Sequence, residues 1–246
     1  MSSLISLWHA YVKNCNTLIL IMETIHAATY KSTNTYKPSA VIIFFAKVLS
    51  YIFHPLFVPL YATWYLVFVH HGFFVGFGEK EKIWILRQMT LNMVFFPALT
   101  VLLLKAVGFI ESIFLKNQKD RIIPYMASGI FFFWMFLVFR NQPEIPGILT
   151  AFTFGVFLAS SFALLANIYF KISMHALGCG GMLGLMIVVL NTNPSPPFTL
   201  PLMTVIFITG IVCTSRLIVS AHTQKEIYMG LVFGFFSQII SAAFIL

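Results

Sequence analysis

Long stretches without a single formally charged residue are the feature that most constrains what this chain can fold into. The run from residue 172 to residue 215 contains no Asp, Glu, Lys or Arg, and neither does the run from residue 48 to residue 78. Charged residues make up 9% of the sequence, against about 25% in a typical soluble domain. Because so few polar side chains cannot cover a water-facing surface, the sequence excludes a soluble enzyme and a disordered chain, and it predicts a polytopic membrane protein.

Seven apolar runs are long enough to cross a bilayer as helices, which takes about 20 residues each. A segment rich in Pro and Asn, 191–197, divides the longest uncharged run into two of them, because clustered Pro and Asn break helices. The sequence therefore predicts an all-α membrane helix bundle of about seven spans. We expect these spans near residues 56–76, 83–104, 122–139, 145–170, 173–190, 200–215 and 227–246.

The first 40 residues differ from the remainder because neither of their two short apolar runs is long enough to span. We interpret 1–40 as an N-terminal segment of unknown role and 41–246 as a single transmembrane domain. Residues 41–53, interrupted by Lys47, fit either an interfacial helix or the first half of a broken span. His54-Pro55 then marks a helix boundary.

The loops at 105–121, 170–175 and 216–226 are each separated by two predicted spans, so all three should lie at the same face of the membrane. The loops at the other face carry nearly balanced charge. The chain has a net charge of +8, and much of this charge lies in the loops at 105–121, 170–175 and 216–226. So basic and apolar a chain is expected to bind lipid headgroups or phosphate, not nucleic acid. The charged residues of these loops include the cations Lys116, Lys119, Arg121, Lys171, Arg216 and Lys225 and the acids Asp120 and Glu226.

The most specific pattern lies between the last two predicted spans. Ser215-Arg216 is followed after five residues by His222, and after three more by Glu226. The planar fork of Arg binds two phosphate oxygens at once, and a neutral His acts as a nucleophile when a partner holds its other nitrogen. Glu226 is within reach of His222 on a helix. The segment from Thr223 to Glu226 also reads as a capping box, and the two roles can coexist.

Two further patterns fall in the other loops of the same face. His175 is suited to acid/base work, and Ser173 would either donate a hydrogen bond to a phosphate oxygen or N-cap the next helix. Lys116 or Lys119 would add a point charge beside Arg121, and the sequence leaves that choice open.

In their order along the chain, these patterns resemble the motifs of the type 2 phosphatidic acid phosphatase superfamily, membrane lipid phosphatases related to vanadium haloperoxidases. Those motifs are Lys-x6-Arg-Pro, Pro-Ser-Gly-His and Ser-Arg-x5-His-x3-Asp, and the resemblance covers roughly residues 110–246. This chain has Glu226 in place of the Asp, lacks the Pro and Gly of the second motif, and spaces the first motif differently.

The resemblance implies a six-helix phosphatase-like core with one extra helix, in the cell (inner) membrane, with its active site on the periplasmic or outer face. It implies metal-independent hydrolysis without a cofactor, of phosphatidate, phosphatidylglycerophosphate, a polyprenyl diphosphate or a lipid A phosphate. An anion transporter and a non-catalytic phospholipid-binding relative are the alternatives. The expected roles are His222 as nucleophile, Glu226 as its partner, His175 as acid and base, and Arg216, Arg121, Lys116 or Lys119 and Ser173 as phosphate ligands.

Three smaller features have simpler interpretations. Lys171 is expected to anchor a helix end at the membrane surface. Gly178, Gly180, Gly181 and Gly184 predict close helix packing beside His175. Cys15, Cys179 and Cys213 are too few and too scattered for a disulfide framework or a zinc site.

Overall fold

The computed structural model describes residues 38–70, 72–113, 115, 117–192 and 199–246. Contacts divide the chain into the units Met1–Ile42 and Ile43–Leu246, and the long apolar helices lie in the second unit. Every regular element in the described ranges is a helix, which confirms the all-α prediction for them. The interpretation of residues 1–40 falls almost wholly outside these ranges. The helices are α1 (Ala40–Ile52), α2 (Val58–Val69), α3 (Glu79–Ala106), α4 (Lys119–Arg140), α5 (Gly147–Tyr169), α6 (Met174–Thr192), α7 (Thr199–Ile218) and α8 (Gln224–Ile245).

Helices α3 to α8 are long and apolar enough to cross a membrane, and they coincide with six of the predicted spans. Helix α3 begins four residues before its predicted start because a charged turn precedes its apolar part. The Glu81 carboxylate caps that turn by accepting a hydrogen bond from the Gly78 N–H at 2.7 Å.

The predicted span at 56–76 differs from the other six. Its helix, α2, covers Val58–Val69 and ends in a π-helical turn, Tyr65–Val69. At 1.5 Å per residue such a helix is about 18 Å long, well short of the roughly 30 Å hydrocarbon core. The helix lengths therefore support six of the seven predicted spans. The start of α2 just after His54-Pro55 agrees with the predicted boundary.

Helices α6 and α8 form the closest contact in the bundle, and glycine makes it possible. A Cβ atom added at Gly180 would collide with the Leu231 carbonyl, and one added at Gly234 would collide with the Leu177 carbonyl. The predicted close packing along the α6 glycines is thereby confirmed. Such backbone-to-backbone approach is typical of membrane helices, in which dispersion contacts and not water expulsion hold helices together.

This contact also fixes the ends of the two helices. The Ser173 N–H, just before α6, donates to the Glu226 carbonyl in the first turn of α8 at 3.3 Å. Gln118 and Asn167 exchange two side-chain-to-backbone hydrogen bonds, which join the start of α4 to the end of α5. The three loops predicted to share one face therefore meet at one end of the bundle, which we call the site end.

Candidate functional site

The turn between α7 and α8 carries His222 back toward the end of α7. The Ala221 N–H donates to the Arg216 carbonyl at 3.2 Å, and the Ser220 N–H donates to the Leu217 carbonyl at 2.9 Å. This pair of bonds is a Schellman motif, which requires a left-handed residue at its centre. Ser220 takes that conformation with φ 52°. The reversal returns the chain over Arg216 within five residues.

His222 is held by the residue predicted to hold it. Its Nδ1 lies 2.8 Å from Glu226 Oε2, and because an ionised carboxylate only accepts, Nδ1–H is the donor and the lone pair of neutral His222 is on Nε2. The same carboxylate oxygen accepts from the Thr223 N–H at 3.1 Å, and the Glu226 N–H donates to Thr223 Oγ1. Glu226 is therefore both the cap of α8 and the partner of His222.

The surroundings of His222 favour the neutral imidazole. The side chain is 4% exposed, and burial lowers the pKa of His222 below its ordinary value of 6.5. The positive charges of Arg216 and Arg121 lower this pKa further, whereas the hydrogen bond and the charge of Glu226 oppose the shift. The cations act on His222 as a group brought together from two different helices.

His175 is oriented by a residue that the sequence did not single out. Its Nε2 lies 3.0 Å from the Ser50 carbonyl in α1, and because a carbonyl only accepts, Nε2 carries the proton and Nδ1 the lone pair of the neutral ring. Ser50 Oγ also accepts a hydrogen bond from Arg216 Nη1 at 3.2 Å. Ser50 therefore joins the second and third motifs.

His54, which the sequence identified only as part of a helix boundary, also lies in the site. Its ring lies edge-on to that of His175 with 5.8 Å between centroids, so His54 is part of the site as well as a helix boundary. Burial, and then the charge of Arg216, lower the pKa of His54. Span parity could have located it, since a residue just before the first span shares the face of His175 and His222.

Arg216 has a buried hydrogen-bond donor without an acceptor among the described residues. Its Nη1 is bonded to Ser50, but its Nε is buried, and among the described residues no partner accepts from it. A buried guanidinium N–H without an acceptor is costly. An anionic oxygen placed there would form a charge-assisted hydrogen bond.

Arg121 has a more structural position than the sequence predicted. It is 8% exposed, and its Nε donates to the Leu115 carbonyl at 2.8 Å. Its Nη1 donates to the Ile172 carbonyl at 3.2 Å and to the Tyr125 hydroxyl at 3.5 Å. Arg121 thus ties the loop before α4 to the turn before α6 while its charge acts on His222.

Lys171, predicted to be a membrane anchor, is half-buried at the site end. Burial lowers the pKa of Lys171, the charges of Arg121 and Arg216 lower it further, and the charge of Glu226 opposes the shift. Lys119 is exposed, and Lys116 lies outside the described residues, so the choice between those two gains no support.

Ser173 is fully buried and its Oγ accepts from the Ala176 N–H at 3.4 Å. This is the N-cap geometry, the simpler of its two interpretations. The residues that the structure brings together form what we call the cationic cluster: Ser50, His54, Arg121, Lys171, His175, Arg216, His222 and Glu226.

Within the described ranges, no three His, Cys, Asp or Glu side chains lie close enough together to hold a metal ion. Comparisons of the chain with protein-family models, with curated proteins and with solved structures find no match. Chemical interpretation of the cationic cluster therefore depends on its own geometry and on the motif resemblance.

Proposed function

We propose that this chain is an integral membrane phosphatase that hydrolyses a lipid phosphate or diphosphate through a phosphohistidine, as a divergent relative of the type 2 phosphatidic acid phosphatases. The observation that carries the proposal is the His222–Glu226 hydrogen bond at 2.8 Å, because it puts the lone pair of a neutral ring on Nε2 while the charge of Arg216 acts on the same ring. A nucleophile with an oriented ring and an adjacent cationic phosphate site is what phosphoryl transfer to His requires.

In the first half of the proposed reaction, the Nε2 lone pair of His222 attacks phosphorus. An N–P bond forms as the P–O bond to the leaving group breaks. Protonated His175 gives its Nδ1 proton to the departing oxygen, since its Nε2–H is held by the Ser50 carbonyl. In the second half, Nδ1 of His175 takes a proton from water, whose oxygen attacks phosphorus. The N–P bond breaks, inorganic phosphate leaves, and both histidines return to their starting forms.

Phosphoryl transfer is catalysed mostly by positioning and by stabilising charge on the phosphoryl oxygens. We assign the unpartnered Nε–H of Arg216 to one of these oxygens, and the Lys171 ammonium to the same group as a point charge. Arg121 contributes its positive charge while holding the turn before α6 in place. Ser173 is assigned to helix capping and not to the substrate.

We further infer that α2 supplies a seventh crossing. It begins beside His54 at the site end, and the chain that follows it enters the charged first turn of α3, which belongs to the other end.

We place the protein in the cell membrane with the cationic cluster at the periplasmic or outer face. A membrane-impermeant maleimide added to intact cells should then label Lys119→Cys but not Arg140→Cys, which are exposed at opposite ends. The reverse pattern would contradict this orientation.

The hydrolysis proposal is tested with the purified full-length chain in detergent. Wild type is expected to release phosphate from at least one of phosphatidate, phosphatidylglycerophosphate, a polyprenyl diphosphate or a lipid A phosphate, without added metal and with inhibition by vanadate. His222→Gln should abolish release, whereas Arg140→Gln, exposed at the other end of the bundle, should release phosphate within about twofold of the wild-type rate. An alkaline quench should trap acid-labile phosphate on wild type and none on His222→Gln.

Two results would replace this proposal with an alternative. Anion movement across liposomes without phosphate release would identify a transporter. Saturable binding of a phosphate lipid with neither release nor transport would identify a non-catalytic relative. Full turnover by His222→Gln would exclude the phosphohistidine mechanism.

A further inference from the structure

An apolar groove of about 550 Å³ lies between α2, α6 and α7. Six of the side chains that line it are Tyr61 and Trp64 from α2, Cys179 and Met182 from α6, and Thr204 and Ile208 from α7. None of these six residues belongs to the phosphatase-like motifs. The size and the predominantly apolar lining are typical of a pocket for a small organic ligand.

The walls of the groove lead to the cationic cluster. Phe53 lines the groove and is the residue before His54. On α6, Cys179 lies four residues after His175, which is about 6 Å along a helix. On α7, Thr209 lies seven residues before Arg216, about 10 Å away along the axis. The groove therefore starts about one turn beneath the cluster and runs from there into the membrane-spanning part of the bundle.

Four polar side chains in the lining, those of Tyr61, Thr204, Thr209 and Cys179, are already bonded within the protein. The Tyr61 hydroxyl donates to the Ile52 carbonyl at 2.9 Å, and the Thr204 hydroxyl donates to the Leu200 carbonyl at 2.9 Å. Thr209 shares a hydrogen bond with the Cys179 thiol. These groups would gain nothing from a polar ligand, whereas a hydrocarbon chain would bury apolar surface along the whole groove.

We propose that the groove binds the hydrocarbon chain of the same lipid whose phosphate binds at the cationic cluster. The proposal rests on the proposed function for the position of the headgroup. It assigns the groove to the long apolar chain of the proposed phosphate or diphosphate ester, a chain that a water-soluble phosphate ester lacks. One end of the ligand meets Arg216 and Lys171, and the other lies between α2 and α7.

The test uses photoactivatable phosphatidate, with a diazirine in its acyl chain, and the full-length chain in detergent. We expect cross-links at Met182 and Ile208 that unlabelled phosphatidate displaces, and at least fivefold weaker cross-links from the matched phosphatidylcholine probe. Thr204→Trp should reduce the phosphatidate cross-links at least fivefold, because the indole fills the groove from an exposed position on α7. Phe207→Trp, on the same helix and 69% exposed outside the groove lining, should label like wild type.

Equal labelling by the two probes would overturn the proposal, as would unchanged labelling of Thr204→Trp. If that variant fails to fold, Thr204→Phe makes the same test with a smaller side chain. Phosphate release is measured in parallel so that the two proposals fail separately. Wild type that labels as expected but releases no phosphate overturns hydrolysis alone. Wild type that releases phosphate equally from phosphatidate and from glycerol 3-phosphate, with Thr204→Trp unaffected, overturns the groove alone.

Discussion

The two ends of the bundle use charged residues in opposite ways. At the end away from the cluster, Glu79, Lys80 and Glu81 form an exposed first turn of α3. Arg140 is exposed there too, with its guanidinium 5.7 Å from the centroid of the Phe136 ring. At the site end, Arg121 is 8% exposed and bonded to carbonyls from two segments. The first set is solvated and nearly neutral in sum, whereas the second is desolvated and positive.

This difference separates charged side chains that remain hydrated at a helix end from charged side chains whose burial costs free energy. A solvated side chain at a helix end loses little hydration and contributes little to stability. Several cations held together away from water repel one another and lose hydration, a cost that the phosphate ligand proposed above would compensate. The buried Nε of Arg216, which has no acceptor among the described residues, is the donor that would gain most from an anionic ligand.

The largest expected difference between the ends comes from removing one guanidinium from each. Arg216→Gln should lower phosphate release about 10²–10³-fold, the usual cost of deleting one group that stabilises transition-state charge. Arg140→Gln should stay within about twofold of wild type, because its charge is solvated and distant from the cluster. Initial rates on phosphatidate in detergent measure both. Comparable losses in the two variants would show that the site end has no special role.

Packing of two helices beneath the site end provides the next comparison. Gly234→Ala should destabilise the fold by about 1–3 kcal/mol, because its Cβ meets the Leu177 carbonyl and α6 and α8 must separate. Gly210→Ala, on α7 with no atom within 4 Å of the new Cβ, should stabilise by about 0.5–1 kcal/mol through helix propensity. Thermal unfolding in detergent, followed by tryptophan fluorescence, measures both. A stable Gly234→Ala would show that the tight contact does not fix the cluster.

Much of this arrangement followed from the sequence because its causes are local. Uncharged runs located six spans, and counting spans located the face shared by Arg121, His175 and His222. The four-residue spacing of His222 and Glu226 also predicted their contact, since residues four apart meet on a helix. These inferences need only helix geometry and the length of a membrane span.

The other residues of the cationic cluster could not be predicted, because tertiary contacts that no local sequence pattern encodes bring them to the site. Ser50 enters the cluster through its backbone carbonyl and one hydroxyl contact, and a serine in an apolar helix has no sequence signature. Lys171 and Lys119 look alike in sequence, and only packing decides that the first is half-buried and the second exposed. The short α2 was likewise hidden, because composition alone cannot show where a helix stops within an apolar run.

A smaller effect should distinguish the two roles of Glu226 through pH. The pKa of His222 lies below 6.5, so phosphate release should have an acid limb, falling as the pH drops through that lowered pKa and the imidazole takes a proton. The requirement for protonated His175 gives the same profile a separate base limb. The Glu226 carboxylate raises the pKa of His222. Glu226→Gln should therefore move the acid limb of the profile to lower pH while reducing the maximal rate about tenfold.

Thr223→Ala is the matched control because it removes the other half of the capping box. It should cost about 1 kcal/mol of stability and leave the acid limb where wild type has it. An unmoved acid limb in Glu226→Gln would mean that this carboxylate serves α8 alone.

The lowered pKa of His222 also predicts that the free energy of unfolding declines as pH falls below 6.5, because the unfolded chain then binds a proton that folded His222 excludes.

The smallest expected effect concerns the turns at the two ends. The turn before α3 places a glycine at positive φ, Gly76 at 91°, whereas the turn that carries His222 places Ser220 at 52°. A left-handed residue with a Cβ costs about 1 kcal/mol, so Ser220→Gly should stabilise by roughly 0.5–1 kcal/mol and Gly76→Ser should destabilise by a similar amount. Both are measured by thermal unfolding. If Ser220→Gly stabilises the fold but lowers phosphate release, then the strained serine holds His222 over Arg216 more firmly than glycine can. If release is unchanged, the Glu226 hydrogen bond alone is enough to position the ring.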